Sequence, residues 1–344
     1  MALRGVQTGG AGAWQALDAQ LQGLETANVG KGDKHVRGAQ DGTPIYVHGD
    51  KAHSASSRAP KYREGVTQIK AALDQSFGAG FGDFAFKQLD KDRSFFQPSA
   101  EKGLKLKDLG DLRQVVADYG TKYQAVANDP MFRTMGAQKF FSRLEAVEKN
   151  IARASPERQQ EASQLTDLQK VAIYGYTNSD DCYLLNRELR ASQGDVGGLS
   201  DYGKAYIQHI TDGLAALPPP DPRRFESYDD NGVAKIMVHR GTKHLPAELD
   251  RSLQRGNTIT EHAFTSTSAS ESKKFHGSYQ FTILLSDQTT GRDISALSPH
   301  DEEEILFPPG TQFRVAHREG DADFLGIGME ASTGVSISMR EVRS

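Results

Sequence analysis

A run of three prolines, Pro218-Pro219-Pro220, separates two stretches of chain with different periodicities. Proline lacks the amide proton a helix needs and its ring clashes with the preceding turn, so no helix crosses this point. Upstream, apolar residues recur at helical spacing. Leu112, Val115, Val116, Tyr119, Tyr123 and Val126 form one face, and Phe140, Phe141, Leu144, Val147 and Ile151 form another. Ser155-Pro156-Glu157 has the form of a helix start, with proline at the first helical position. Leu165, Leu168, Val171 and Ala172 extend that helix, and Tyr174-Gly175-Tyr176-Thr177-Asn178 follows as a loop. Asp180 or Asp181 is placed to cap a helix from Cys182 to about Ala191, and a further helix spans Tyr202 to Leu217. Downstream the apolar runs become short and β-prone: Ala234 to His239, Phe264 to Ser268, Tyr279 to Leu285, Glu304 to Phe307, Gln312 to Ala316 and Val335 to Val342. Helices first and strands after predict an α+β domain, with helices packed on a mainly antiparallel β core.

The first 65 or so residues show little periodicity and are rich in Gly, Ser, Ala and Lys. Gly9-Gly10-Ala11-Gly12 and Ser54-Ala55-Ser56-Ser57-Arg58 are linker-like, and Ile45 to His48 has the composition of a lone strand. Val66, Ile69, Leu73 and Phe77 predict an amphipathic helix. The glycine cluster at Gly78, Gly80 and Gly82 follows that helix rather than a strand, so it is expected to be a helix stop, not a dinucleotide loop. The expected organisation is an N-terminal region over residues 1–105, partly disordered, and a folded domain over 106–344. That domain has a helical lobe near 106–218 and a β core near 230–344.

Bulk properties exclude several classes of function. A net charge of −4 is not the footprint of a nucleic-acid-binding chain. The single cysteine, Cys182, rules out an internal disulfide. No apolar run approaches the roughly 18 residues of a membrane span. The first thirty residues lack the basic end and apolar core of a secretory signal, so the protein is expected to stay in the cytosol or to leave without a cleaved signal peptide. The 10 histidines are scattered without zinc-site spacing, and no metal is expected.

Three strand ends carry the residues with chemical potential. Arg240 closes an apolar strand and keeps its charge at any protein pH, so it needs an anion. That anion is either an internal carboxylate or a phosphate or carboxylate of a ligand. Ser266-Thr267-Ser268 is either a polar edge strand or the source of a hydroxyl that fixes a carboxylate. Asp301-Glu302-Glu303-Glu304 runs straight into Ile305-Leu306-Phe307, which places Glu304 at the lip of a sheet. In extended backbone Glu302 and Glu304 share a face and repel, raising the pKa of one of them. Such a pair is either screened by solvent or kept for chemistry. Two carboxylates, a hydroxyl row and an arginine suit a transition state that is a sugar cation beside phosphates.

The order of these blocks resembles the R-S-E class of arginine-specific mono-ADP-ribosyltransferases, a family of bacterial toxins and effectors. Val238-His239-Arg240-Gly241, Phe264-Thr265-Ser266-Thr267-Ser268 and Glu302-Glu303-Glu304-Ile305-Leu306-Phe307-Pro308 resemble its arginine, F-x-S-T-S and E-x-E blocks. Tyr176-Thr177, Tyr183, Asn186 and Leu189-Arg190 resemble its helical element over the NAD site. The resemblance covers roughly residues 160 to 344. Two departures stand out: His239 where the family often has an aromatic residue, and Leu185 where it has isoleucine. A register using Asp301 and Glu303 is set aside because the family's catalytic glutamate immediately precedes the apolar strand, as Glu304 does.

The resemblance implies the ADP-ribosyltransferase fold, with helices on a two-sheet β core, and NAD as substrate. Arg240, Ser266, Glu302 and Glu304 are the implied catalytic set. Arg240, Gly241, Thr267, Ser268, Tyr176, Asn186 and Arg190 are the implied NAD-binding set. Glu304 would stabilise the oxocarbenium ion, and Glu302 would deprotonate an arginine acceptor on a target protein. A NAD glycohydrolase and a non-catalytic NAD-binding module are the alternatives. An effector of this kind is expected to act in the target-cell cytoplasm, with a secretion chaperone as a further partner at the N-terminal region.

Overall fold

In the computed structural model the described residues are 12–27, 34–37, 44–47, 59–91, 106–178, 181–225, 235–273, 277–320 and 334–342. They fall into two compact units, Met1–Gln138 and Lys139–Ser344. The expected boundary near residue 105 lies inside the first unit, and the site residues all lie in the second.

The first unit contains α1 (Gly12–Ala27), β1 (Lys34–Arg37), β2 (Pro44–Val47), α2 (Ala59–Phe77), α3 (Phe81–Lys91), α4 (Leu106–Val126) and α5 (Pro130–Met135). α1 lies where the composition suggested linker. Its buried residues Trp14, Leu17 and Leu21 fall at i, i+3 and i+7, a periodicity diluted by the Ala, Gln and Asp between them. The Trp14 amide donates to Ser76 Oγ at 2.8 Å, tying α1 to α2. β2 is not a lone strand, since it pairs antiparallel with β1. Gly78 and Gly80 stop α2 with φ of 114° and 88°, and Phe81 then opens α3, which the spacing did not predict. Gly9, Gly10, Ala11 and Ser54 to Arg58 lie outside the described residues, as do His48 and Asp180.

The second unit opens with α6 (Ala137–Arg153), which begins at the boundary, then α7 (Pro156–Ala162), α8 (Asp167–Thr177), α9 (Asp181–Ala191) and α10 (Asp201–Ala216). Ser155 caps α7 with Pro156 in its first turn, as the sequence indicated. That helix does not continue to Ala172. It stops at Ala162, and Thr166 starts α8 with a capping box in which its side chain and that of Gln169 satisfy each other's backbone amides. α8 then runs through Tyr174, Gly175, Tyr176 and Thr177, so the expected loop there is a buried helical turn. The glycine and β-branched threonine looked like breakers, but burial outweighs such a propensity deficit. Gly175 is required for packing: a Cβ would lie 2.3 Å from Tyr206 Oη and 2.4 Å from the Arg143 guanidinium.

The remaining elements are β3 (Met237–Thr242), α11 (Ala247–Ser252), β4 (Thr258–Glu261), β5 (Thr265–Ser268), β6 (Tyr279–Leu284), β7 (Arg292–Asp293), β8 (Glu304–Phe307), β9 (Thr311–Glu319) and β10 (Val335–Glu341). Among the described residues they form one eight-stranded sheet in the order β4-β9-β10-β6-β3-β5-β8-β7, not two separate sheets. All pairings are antiparallel except β6 with β10. The sheet is close to dividing, because β3 and β5 meet through the single pair His239 and Ser268. Alternating burial along β6 and β10 puts Phe281, Ile283, Ile337 and Met339 into one core with Phe307 and Phe313. The helices are tied to the β7 edge, where Arg158 makes two hydrogen bonds to the buried Asp293 at 2.9 and 3.1 Å. Arg292 Nε also donates to the Leu217 carbonyl, just before the proline run.

Candidate active site

The near-division of the sheet brings three strands together, though Arg240 does not close β3, which runs on to Thr242. Arg240 is on β3, Ser266 on β5 and Glu304 at the first position of β8. Ser266 contacts both of the others. Its carbonyl accepts from the Arg240 guanidinium at 3.1 Å, and its Oγ donates to Glu304 Oε1 at 2.6 Å. Among the described residues Arg240 has no ion-pair partner, so the internal salt bridge left open by the sequence is not made. Burial pushes the Arg240 pKa below the ordinary guanidinium value, partly opposed by the negative charge of Glu261.

Glu304 is 4% exposed. Removal from water pushes its pKa up to about 7, the Ser266 hydrogen bond pulls it down, and the charge of Glu302 adds to the rise. Repulsion between the two acids is thus present, but burial is the larger cause. The segment is not extended through the acid run: Glu303 has φ of 49°, a left-handed conformation uncommon for a residue with a side chain. Glu302 therefore sits in a turn, before the strand that holds Glu304. The hydroxyls of the other two residues of the trio are used on backbone. Thr267 Oγ1 donates to the Ile305 carbonyl at 2.7 Å, and Ser268 Oγ donates to the Glu302 carbonyl at 2.6 Å. They bind β5 to β8 and to the acidic turn.

Tyr176 and Asn186 are turned toward each other. Asn186 Nδ2 donates to Tyr176 Oη at 2.9 Å, and its Oδ1 accepts the Phe264 amide at 3.1 Å. The Tyr176 and Phe264 rings stack edge to face, with centroids 5.3 Å apart. This chain of contacts fixes α8 and α9 to the entrance of β5. Arg190, one turn further along α9, projects to Glu261, with Nε 3.0 Å from Oε1. Gly241 follows Arg240 on β3, paired with Gln280.

Arg190, Arg240 and Glu261 line an open cleft with an apolar floor that includes Leu249 and Phe281. Thr265 also lines it, and its Oγ1 is buried with no hydrogen-bond partner. Arg240 is shared by this cleft and the Ser266–Glu304 pair. Two guanidiniums with an unpaired hydroxyl nearby suit an elongated ligand with phosphates and ribose or base edges. Glu261 and Thr265 were not singled out from the sequence. Thr258 to Glu261 is too short and too polar to signal a strand, although its alternation was available.

Residues 154–323 match the family model described as ADP-ribosyltransferase exoenzyme. Over these residues the chain carries an ADP-ribosyltransferase exoenzyme domain. The exoenzyme domain is 36% identical over 154 residues to the NAD(+)–protein-arginine ADP-ribosyltransferase Tre1 of Pseudomonas putida, a match covering 45% of this chain and 27% of that protein. It is 35% identical over 170 residues to the Tre1 of Serratia proteamaculans, covering 48% of this chain and 33% of that protein. The chain thus spans a third or less of the length of these curated relatives. A solved structure, the catalytic domain of VahC from Aeromonas hydrophila, aligns with 52% of this chain and 100% of its own at 22% identity and a TM-score of 0.38.

Proposed function

We propose that the exoenzyme domain transfers ADP-ribose from NAD to an arginine side chain of a target protein and releases nicotinamide. The observation that carries the proposal is the double contact of Ser266, which holds Arg240 through its carbonyl and Glu304 through its hydroxyl. In this reading Arg240 and Arg190 meet the pyrophosphate of NAD, with Arg190 leaving Glu261 to do so. Gly241, Thr267 and Ser268 shape the nicotinamide end, and Tyr176 and Asn186 set the helical wall above it.

The bond that breaks joins the nicotinamide nitrogen to the ribose anomeric carbon. Nicotinamide leaves neutral, taking the electron pair, and positive charge develops on the sugar. Glu304, ionised and held by Ser266, stabilises that charge in a site largely shielded from water. Glu302 then accepts a proton from the incoming guanidinium, whose free pKa is above about 12, so that a nitrogen lone pair forms the new bond to the anomeric carbon. As part of the same proposal, the acceptor protein is in the cytoplasm of a target cell. Support for that location is compositional, from the Gly-, Ala- and Gln-rich start of the chain.

The test is incubation with isotope-labelled NAD and a cell lysate, followed by mass spectrometry of modified peptides. Wild-type protein is expected to add ADP-ribose to arginine, and Glu304→Ala to add none. Nicotinamide release with no protein labelled would support NAD hydrolysis instead. Absence of both would sink the enzyme reading.

A further inference from the structure

Four consecutive acids lead into β8, the last of them its first residue, yet they have three different surroundings. Glu304 is buried against Ser266. Asp301 and Glu303 both reach the same cation: Lys273 Nζ is 2.9 Å from Asp301 Oδ1 and 3.2 Å from Glu303 Oε1. Glu302, between those two, has no ion-pair or hydrogen-bond partner for its carboxylate among the described residues, and its charge is felt at Glu304. Backbone contacts hold the same turn. The Ala269 amide donates to the Glu303 carbonyl at 3.0 Å, Ser268 Oγ donates to the Glu302 carbonyl, and Glu303 is in left-handed conformation.

We propose that Lys273 is a positioning residue for acceptor deprotonation: by clamping Asp301 and Glu303 away from the site it leaves Glu302 as the one acid of the turn directed at the acceptor. This rests on the transferase reading above. Lys273 does two things at once. It offsets the charge on both neighbours of Glu302, which would otherwise be three like charges in succession. It also swings those side chains to the Lys273 side of the turn, which holds a residue with positive φ in one orientation. A single surface ion pair is worth little. A cation bridging two acids across a backbone-anchored turn acts through geometry, and small misplacements of a catalytic group cost much more rate than stability.

The measurement compares arginine transfer, followed with agmatine as acceptor, and nicotinamide release from NAD without acceptor, for wild type, Lys273→Met, Lys273→Arg and Asp301→Asn/Glu303→Gln. Lys273→Met and the double variant are expected to lower the ratio of transfer to hydrolysis about tenfold. Lys273→Arg, which keeps a bridging cation, is expected to stay within about threefold of wild type. The double variant keeps Lys273, so it carries the test if Lys273→Met does not fold. An unmoved ratio in Lys273→Met or the double variant, or an equal fall in both activities, overturns the inference while leaving the transferase reading intact. A wild-type protein that neither transfers nor hydrolyses breaks that reading, and this inference with it.

Discussion

The strand β8 and the turn before it present acids of the same kind in opposite settings. Glu304 is enclosed by the sheet, and its pKa rises to about 7 mainly because burial disfavours its charge. Glu302 is on a turn anchored by Ser268, beside acids that a lysine compensates. One carboxylate is tuned by desolvation and one hydroxyl; the other stands on a turn held by its backbone contacts. The difference shows how neighbouring, chemically identical residues can take separate tasks: in the proposed reaction the enclosed one faces a cation that forms inside the site, and the turn-borne one meets a group arriving from solvent.

The most severe way to test that contrast is Glu304→Gln. Nicotinamide release and transfer are both expected to fall by roughly 10²-fold or more, measured as kcat for each. The same change is expected to stabilise the fold near pH 7.5. A carboxyl whose pKa is raised on folding binds more protons in the native state, so its stability contribution is present below the unfolded value and is lost as pH rises toward about 7. Removing its charge should raise the melting temperature at pH 7.5 and change it little at pH 4.5.

Next in size is Glu302→Gln, which separates the two carboxylates. Transfer to arginine should fall roughly 10²-fold while hydrolysis persists. With the like charge gone, the pH midpoint of hydrolysis should move down. If both activities fell together, the division of tasks would be wrong. A smaller effect is expected for Ser266→Ala. Loss of its hydrogen bond should raise the Glu304 pKa, shift the pH–rate profile of nicotinamide release to higher pH and cost about tenfold at pH 7. The smallest is Glu261→Gln, which frees Arg190 for the pyrophosphate. The KM for NAD should fall by about two- to fivefold, with the difference shrinking at high salt.

Much of the candidate site was legible because its residues adjoin apolar or β-prone runs, although only Glu304 stands at a strand end. Arg240, Ser266 and Glu304 each sit where an apolar or β-prone run meets a polar residue, and that signal is local. The helices from α6 to α10 were also legible from spacing, but their ends were not always. The capping box at Thr166 and Gln169 was written in the chain, and the apolar period running across it concealed the break. Tyr174 to Thr177 had loop composition, and only the cavity left for Arg143 and Tyr206 explains why a glycine stands in a buried helix. The expected separation into two sheets was not found among the described residues. One residue pair, His239 with Ser268, decides whether β3 and β5 belong together, and hydrogen-bond register over one pair has no sequence signature.

From its residues alone the chain determined a helical stretch before the proline run and β-prone runs after it, that its one cysteine cannot form an internal disulfide, and which side chains could carry chemistry. Those follow from hydrophobic period, proline stops and residue type, which act over a few neighbours. Folding decided the rest: that Asn186 is spent on Tyr176 and Phe264, that Glu261 faces Arg190, and that one lysine reaches two of four consecutive acids while Ser266 holds a third. Those depend on which residues distant along the chain share a low-dielectric space, where a single nearby charge or hydroxyl changes what a carboxylate can do.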